Sequence, residues 1–492
     1  MAGFHAVEGT DLRCWDGPSL KCFADLSDAP TMRIVFRDGW PYVHPRVVVP
    51  GVTGEHASAD GVVCLWSEED ASFEWTTWGS LSSRAEAWCE RTRSGFRQVD
   101  LALDAFIGFE HRDYSAIATL DSGQLLSGVA QDGKHQRIHG VVENAGCVIS
   151  LHAGRGVGGA LTGRLFYRAE LAAPPRTRSE FEAALTARQL ARFREDLARS
   201  VPGEPPMALV VLAWHRSGLA DLLVLRVLSA DGEQRLASME PAPRDQRALR
   251  LRAGPDSEAL SRSHVVVFGA GAIGSQIALL LGECGVGNLQ LVDGDRLRPG
   301  NVVRHVAGRH AIGWHKVVAT EIELSSHAPW TVVKTQAATV QGPDDIRSLI
   351  ARSNAVVDAT GSWSFQEQVA RVAHDVAVPL VSVALYRGGA IGRVRRQAPG
   401  DRAIWERTGA LGYAVIPPDA AEGEFSLETG CSAPVSNASP AAVTAVAALG
   451  AQVLSDCLTG RLNYRPEIVD VYSPLVVPPF DRVGRVPWPT SS

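Results

Sequence analysis

The feature that most constrains the fold of this chain is a glycine-spaced turn between a β-strand and a helix. The apolar residues 265–268 lead into Gly269, Gly271 and Gly274, and an apolar helical segment follows directly. Glycines let the backbone turn tightly and approach a phosphate, and the first turn of a helix offers unpaired N–H groups. The pattern predicts a nucleotide-binding turn.

From residue 264 onward, short apolar segments alternate with helical ones. We predict strands at 264–268, 288–293, 331–336 and 354–358, and helices at 272–284, 313–326 and 344–352. Strict alternation of strand and helix is typical of an α/β fold with a Rossmann-like, doubly wound parallel sheet that is covered on both faces.

The chain contains a second match to the same glycine spacing, which serves as an internal control. Gly154, Gly156 and Gly159 precede a strand-like segment rather than a helix, and no acidic residue ends an apolar strand about 20 residues later. We therefore predict that this copy is only a loop. The first turn does have that acid, because Asp293 ends the next strand, where a carboxylate would meet a ribose hydroxyl.

Three polar residues after Asp293 indicate which nucleotide binds. Asn301, Arg304 and Lys316 supply an amide, a guanidinium and an ammonium group. A bridged diphosphate needs few such groups, whereas splitting a triphosphate develops charge that several cations must stabilise. The set favours ATP, and an NAD-dependent oxidoreductase stays an alternative.

These residues, in this order, resemble the ThiF and ubiquitin-activating superfamily over residues 240–458. The resemblance implies that Asp293 binds ribose and that Asn301, Arg304 and Lys316 contact phosphates. It further implies that Arg247 reaches the ATP of a partner subunit, and hence a homodimer.

The same resemblance implies a Mg²⁺ site after the fourth strand, with one departure. Asp358 stands at the first acidic position, but Gly361 occupies the place of the second acid. Mg²⁺ would then be held by Asp358 or by the phosphates themselves. The zinc-binding cysteines of many relatives are also missing.

Eight cysteines are scattered through the chain without a Cys-x-x-Cys pair, which fits a reducing cytosol rather than a zinc ribbon. Cys431 lies among small residues shortly before a helix that we expect to open at 439–440, where a thiol can be exposed and have a lowered pKa. The superfamily resemblance implies that it accepts an acyl group from the adenylate. The alternative is an inert loop thiol.

Cys64 lies in an apolar segment, so burial is its simplest explanation. Its surroundings over 25–96, with a Pro-rich turn at 40–45 and Trp75, resemble the ubiquitin-conjugating fold. His56 falls where an asparagine of that family would sit, and a histidine can hydrogen-bond an oxyanion or steer a lysine.

Charge and hydropathy restrict the partners. The 492 residues carry a net charge of −6 with no long basic run, which argues against nucleic acid and anionic lipid. No apolar run approaches the roughly 20 residues of a membrane span. Without a signal-like N-terminus, we expect a cytoplasmic protein.

We predict three domains: 1–100, a ubiquitin-conjugating-like α+β domain; 101–239, an α+β connecting region; and 240–492, the ThiF-like domain. In the connecting region we expect a helix at 179–199, opened by a capping box at Ser179 and Glu182, and a strand pair at 208–213 and 221–226.

Conjugating and activating domains fused in this order resemble the proteins of bacterial CBASS anti-phage operons. The resemblance implies that ATP activates the C-terminus of a ubiquitin-like protein or a nucleotide cyclase, that Cys431 and then Cys64 carry it, and that a target lysine receives it. The alternatives are a sulfur-carrier adenylyltransferase with a non-catalytic N-terminal module, the oxidoreductase, and a scaffold without activity.

Overall fold

The structure is a computed structural model that divides into two compact units, Met1–Ala248 and Leu249–Ser492. Each unit is described by itself. The residues that the structure describes are 3–7, 13–52, 56–58, 60–66, 74–95, 105–171, 173–198, 206–216, 219–230, 233–407, 410, 413–417, 425–426 and 435–487.

The first unit begins with a small antiparallel sheet whose five strands pair in chain order. The elements are β1 His5–Ala6, β2 Cys14–Pro18, α1 Lys21–Ser27, β3 Thr31–Val35, β4 Arg46–Val48, β5 Val62–Val63 and α2 Trp78–Ser94. Phe23 of α1 and Trp88 of α2 pack edge to face at 6.0 Å in the core beneath the sheet. Helix α2 begins at Trp78 because the Thr77 hydroxyl accepts a hydrogen bond from the Ser80 N–H and caps the first turn.

Seven longer strands of the first unit close into a barrel in the order β10, β11, β12, β6, β8, β7, β9. The elements are α3 Ala105–Gly108, β6 Arg112–Leu120, α4 Ser122–Leu126, β7 His135–Glu143, β8 Val148–Ala153, β9 Leu161–Tyr167, α5 Arg178–Ala184, α6 Ala187–Ala198, β10 Met207–Arg216, β11 Leu219–Ala230 and β12 Glu233–Pro243. Leu151 and Leu209 lie in the barrel core, and Phe166 lies in a second core that includes residues of α5 and α6. The predicted strand pair is β10 and β11, whereas barrel closure was not predicted.

The helix expected at 179–199 is two helices, so that prediction was wrong. Thr177 rather than Ser179 caps α5, with its hydroxyl accepting from the Glu180 N–H. The chain turns to extended backbone at Leu185, which is buried. A second capping residue, Thr186, accepts from the Gln189 N–H at 3.3 Å and starts α6. Because each segment has its own N-cap residue, two short helices form where the continuous apolar pattern predicted one.

The second unit is built on a sheet of eight strands in the order β15, β14, β13, β16, β17, β18, β21, β22. Its strands are β13 His264–Phe268, β14 Asn288–Val292, β15 Val332–Gln336, β16 Ala355–Asp358, β17 Leu380–Tyr386, β18 Ile391–Gln397, β21 Glu467–Val471 and β22 Gly484–Arg485, with a separate pair β19 Phe425–Ser426 and β20 Val435–Ser436. Strands β13 to β17 are mutually parallel, as predicted, and β18, β21 and β22 add antiparallel pairs. The sheet is therefore mixed rather than purely parallel.

The helices from residue 246 onward are α7 Gln246–Arg250, α8 Ser257–Leu260, α9 Ala272–Glu283, α10 Lys316–His327, α11 Pro343–Ile350, α12 Trp363–Asp375 and α13 Pro440–Leu458. Helix α10, predicted from 313, begins at Lys316. The preceding residues are held by a bridge between Arg296 and His315, and the Gly313 N–H donates to the Leu297 carbonyl at 2.9 Å. This contact places Lys316 at the first turn of its helix.

Helix α13 is long and apolar enough to cross a membrane by length and composition, and 61% of its most apolar window is buried inside the protein. Val446 and Ala447 are fully buried in the main core of the second unit, where α13 contacts α9 and β17. In this structure α13 is a core helix.

Candidate active site

The glycine turn after β13 is shaped by contacts of its own backbone. A Cβ on Gly274 would lie 1.7 Å from the Gly269 carbonyl oxygen, and one on Gly269, whose φ is +85°, would lie 2.9 Å from the Ala359 backbone. A Cβ on Gly271 would meet nothing within 4 Å. The outer glycines are therefore required for packing, whereas Gly271 faces open space at the start of α9.

Asp293 follows β14, as the sequence predicts, and its carboxylate is held beside the turn. Oδ2 accepts a hydrogen bond from the Ala270 N–H at 2.8 Å, and Oδ1 accepts from the Asp295 N–H at 2.8 Å. It lines a cavity of about 360 Å³ together with Gly269 and Gly271. The contact of this carboxylate with a ribose stays a prediction.

Lys316 lines the same cavity from the first turn of α10. Its ammonium Nζ lies 2.7 Å from Asp295 Oδ2, and its side chain is only 14% exposed while that of Asp295 is 74% exposed. Asp295 thus positions the cation beside the glycine turn. Sequence reasoning missed Asp295, although its place two residues after Asp293 was a signal.

Arg304 lines a second, larger cavity of about 530 Å³ that also includes Gly271 and Asp358. Its guanidinium donates to the carbonyl oxygens of Ser436 at 2.7 Å and Ala438 at 3.1 Å. The two cavities share Gly271, Ala359, Thr360 and Ser362 in their linings. Arg304 and Lys316 therefore line adjoining spaces next to one glycine turn.

Asn301 ends the short 3₁₀ turn Pro299–Asn301 and is used there structurally. Its side-chain oxygen accepts from the Arg298 N–H at 3.0 Å, and its carbonyl oxygen accepts from the Arg304 and His305 N–H groups. Asn301 does not appear among the described residues that line either cavity. It positions the segment that carries Arg304.

His305, which sequence reasoning overlooked, ties that segment to the glycine turn. Its Nδ1 accepts from the Ala307 N–H at 3.0 Å, so Nε2 carries the proton and donates to the Ala270 carbonyl at 2.9 Å. Burial lowers the pKa of His305, which is 7% exposed and stays neutral. Its place next to Arg304 was the only signal in the sequence.

Asp358 ends β16 and is almost fully buried, with 2% of its surface exposed. Burial raises the pKa of its carboxyl group, and hydrogen bonds from the Thr360 hydroxyl at 2.7 Å and the Ser382 hydroxyl at 3.2 Å offset part of this effect. Ser382 in turn accepts from Gln366, whose amide oxygen accepts from Arg395. Asp358 is the end of a buried polar chain that opens onto the larger cavity.

The surroundings of Asp358 limit how Mg²⁺ could bind. Gly361 has a φ of +69°, a conformation in which an acidic side chain would be strained. No group of three or more His, Cys, Asp or Glu side chains suited to a metal occurs among the described residues. Mg²⁺ commonly takes one or two carboxylates plus substrate phosphates, so Asp358 fits it only together with a nucleotide.

Two predicted catalytic side chains of the ThiF-like region lie outside the described part of the chain. Cys431 lies outside the described residues, between the strands β19 and β20. Arg247 lies in α7, and its side chain also falls outside the described part of the chain.

In the first unit, Cys64 is exposed, contrary to the simple expectation for an apolar segment. Its N–H donates to the His56 carbonyl at 2.8 Å, and its Sγ lies 3.4 Å from the Trp66 carbonyl. His56 adopts a positive φ of 56°. The structure brings these two predicted residues together through their backbones, beside the buried pair Trp66 and Trp75.

Comparison with known proteins identifies the class of the second unit. Residues 244–467 match the model of the ThiF family. This part of the chain is a ThiF domain, the domain type of ATP-dependent adenylating enzymes, as its site residues predicted.

Three relatives extend this finding. The chain is 31% identical over 198 residues to protein y4oA of Sinorhizobium fredii, covering 37% of this chain and 33% of that protein. It is 33% identical over 126 residues to the ATP-dependent ubiquitin transferase-like protein Cap2 of Pseudomonas aeruginosa, covering 24% and 22%. It is 30% identical over 131 residues to the molybdopterin-synthase adenylyltransferase of Escherichia coli, covering 26% and 52%.

The alignments thus span from about a fifth to about half of the length of these relatives. Among solved structures, Escherichia coli MccB with MccA-N7isoASN superimposes with a TM-score of 0.36 at 15% identity, covering 46% of this chain and 65% of that one.

Proposed function

We propose that this protein uses ATP to activate the C-terminus of another protein as an acyl-adenylate and then passes it through two thiols to an amine. The observation that carries the proposal is the pair of adjoining cavities at Gly271, one lined by Lys316 and the other by Arg304. Together they offer room for a nucleotide and for an extended tail that meets it.

The residues divide between the two reactants. Asp293 and Lys316 line the smaller cavity, which we assign to ribose and phosphates. The larger cavity, with Arg304 and Asp358, would take the carboxyl tail and the phosphates that continue past the shared Gly271. A tail carboxylate oxygen attacks the α-phosphorus of ATP, the bond to the β-phosphate breaks, and pyrophosphate leaves. The two cations stabilise the charge that develops on the phosphate oxygens.

Mg²⁺, which we propose as a cofactor, would be held by Asp358 with the phosphates and would neutralise their charge. Because burial raises the pKa of Asp358, a bound cation would favour its ionised form.

The thiol relay would follow. The Cys431 thiolate attacks the acyl carbon, so that a thioester forms and AMP leaves. Arg304 supports this assignment because it holds the Ser436 and Ala438 carbonyls, a few residues after Cys431, at the wall of the larger cavity.

Thioester exchange then moves the acyl group to Cys64 and frees the first thiol, and a lysine amine completes an amide bond. The exposure of Cys64 supports its role. Its neighbour His56 would orient the incoming lysine or the oxyanion. The similarity to the ATP-dependent ubiquitin transferase-like Cap2 proteins favours a ubiquitin-like protein as the substrate. The resemblance of the sequence to conjugating–activating fusion proteins adds a nucleotide cyclase as a further candidate and a role in anti-phage defence. We further propose a cytoplasmic homodimer in which Arg247 reaches the partner subunit's ATP.

The relay is tested with ATP and a panel of ubiquitin-like proteins and nucleotide cyclases, each with an intact or a shortened C-terminus. We expect adducts sensitive to reducing agent on Cys431 and Cys64, found by mass spectrometry, only with intact tails. Cys64→Ala should keep the first adduct and abolish the amide product, and Cys431→Ala should remove both adducts. Pyrophosphate exchange that no intact tail stimulates would refute the proposal.

A second candidate is a sulfur-carrier adenylyltransferase with a merely binding N-terminal part, which the similarity to the Escherichia coli adenylyltransferase favours. Under that alternative, Cys64→Ala would leave the product yield unchanged. Tight NADH binding without ATP binding would instead support an oxidoreductase.

A further inference from the structure

The glycine-rich loop 154–160 of the first unit forms a cavity that the proposed reaction does not use. The loop joins β8 to β9 and, as predicted, leads into a strand rather than a helix. It encloses about 360 Å³ against the strand β7. The Gly154 N–H donates to the Arg137 carbonyl at 2.8 Å, and Gly156 packs so closely on His139 that a Cβ would lie 3.0 Å from the ring.

The lining of this cavity is cationic. Arg137, His139 and Arg155 all contribute to it, and the described lining residues include no acid. In the part of the chain that the structure describes, neither guanidinium forms a salt bridge, unlike most of the other arginines of the barrel. Two uncompensated guanidinium groups that converge on one cavity favour an anionic ligand.

A second histidine lies behind this lining. His152 stacks on His139 with ring centroids 5.3 Å apart, and the two residues pair across β7 and β8. Burial lowers the pKa of His152, and His139 and Arg244 lower it further. A bound anion would favour the protonated form of His152 and so offset part of this effect.

The loop also offers backbone donors. The N–H groups of residues 155–159 donate to no described backbone carbonyl. A Cβ at Gly158 or Gly159 would meet nothing within 4 Å, so the backbone is open to close approach. Successive free amides in a turn form a concave site for anions.

We propose that this loop is a second anion site that binds the phosphate group of a small phosphorylated ligand, independently of the nucleotide site of the ThiF domain. Arg137 and Arg155 donate to the phosphate oxygens from two sides, His139 donates from the strand, and the loop amides close the fourth side. A tetrahedral phosphate can use donors from all these directions, whereas a planar carboxylate is satisfied by one guanidinium fork.

The test is histidine modification of the full-length protein by diethylpyrocarbonate, with rates measured for each peptide by mass spectrometry. Titration with inorganic phosphate should protect His139 in a saturable manner relative to chloride of equal ionic strength. The exposed His111 of the same unit is the internal control and should not be protected. This readout is local, so binding at the ThiF domain does not interfere with it.

Matched variants complete the design. Arg155→Ala and Arg137→Ala should each raise the phosphate concentration for half-protection roughly tenfold or more, the effect of losing one charge-assisted hydrogen bond. Arg235→Ala, at an exposed arginine on β12, should change nothing. Stronger protection by AMP than by phosphate would identify a nucleotide as the phosphate source.

Equal modification of His139 in phosphate and chloride would overturn the proposal. Equal protection by acetate would overturn the assignment to phosphate. Protection that persists unchanged in both arginine variants would show that the anion binds elsewhere and would also refute the site.

Discussion

Two neighbouring glycines should respond in opposite ways to the same substitution. Gly274→Ala places a methyl group 1.7 Å from the Gly269 carbonyl oxygen, although real contacts of this kind are longer than 3.0 Å. The turn or α9 must therefore shift by more than 1 Å. Overpacking of this kind costs about 1–3 kcal/mol. A loss of about 2 kcal/mol would lower the Tm of a unit of this size by roughly 4–8 °C.

Gly271→Ala is the matched control. Its new methyl group meets nothing within 4 Å, and the φ of −76° suits alanine. The free energy of unfolding should thus stay within about 0.5 kcal/mol of the wild-type value, with little change in Tm. If phosphates approach this face, however, the methyl group should abolish ATP binding measured by isothermal titration calorimetry. A Gly271→Ala protein that binds ATP normally would refute the placement of the phosphates, and a Gly274→Ala protein with unchanged Tm would refute the packing argument.

Three further outcomes are expected. Lys316→Ala should slow pyrophosphate exchange by roughly 10²–10³-fold, as the loss of one charge-stabilising donor does, whereas Lys334→Ala, at an exposed strand position, should leave the rate unchanged. Burial lowers the folded-state pKa of His305. The stability that neutral His305 contributes is therefore present above the unfolded pKa of about 6.5 and is lost as the pH falls toward the folded-state pKa. The variant His305→Gln should consequently lose less stability than wild type between pH 7 and 5, as measured by urea titrations. Arg407 is fully buried and donates to three backbone carbonyls, so Arg407→Ala should lower the free energy of unfolding by about 3–5 kcal/mol in the same titrations.

Much of the nucleotide site could be predicted because its determinants are local. Buried parallel strands appear in a sequence as short apolar runs. The residues of the turn that follows each strand then lie at one edge of the sheet. Asp293 and Lys316 line one cavity beside the glycine turn, as this register predicts. Asp295 was missed because it pairs with the Lys316 ammonium group, and His305 was missed because it hydrogen-bonds the backbone of the glycine turn. Neither residue belongs to a sequence motif.

The connecting region was predicted poorly for the opposite reason. Its strands β6 and β12 pair although nearly the whole barrel sequence separates them. No local pattern records such a pairing, because alternation along a strand specifies its buried face but not its neighbour. The same limit applies to the helix pair α5 and α6, where the Gln189 side chain bridges the Lys134 and Tyr167 carbonyls.

The sequence by itself determined the strand–turn–helix order of the second unit and the chemical nature of its site, since glycine spacing and residue type act over a few neighbouring positions. Only the tertiary structure decided that Asn301 caps a turn, that Asp358 is buried with a raised pKa, and that the loop at Gly154 encloses a cationic cavity. Burial and electrostatic surroundings depend on which distant segments pack together, and the spacing of residues along one chain does not contain that information.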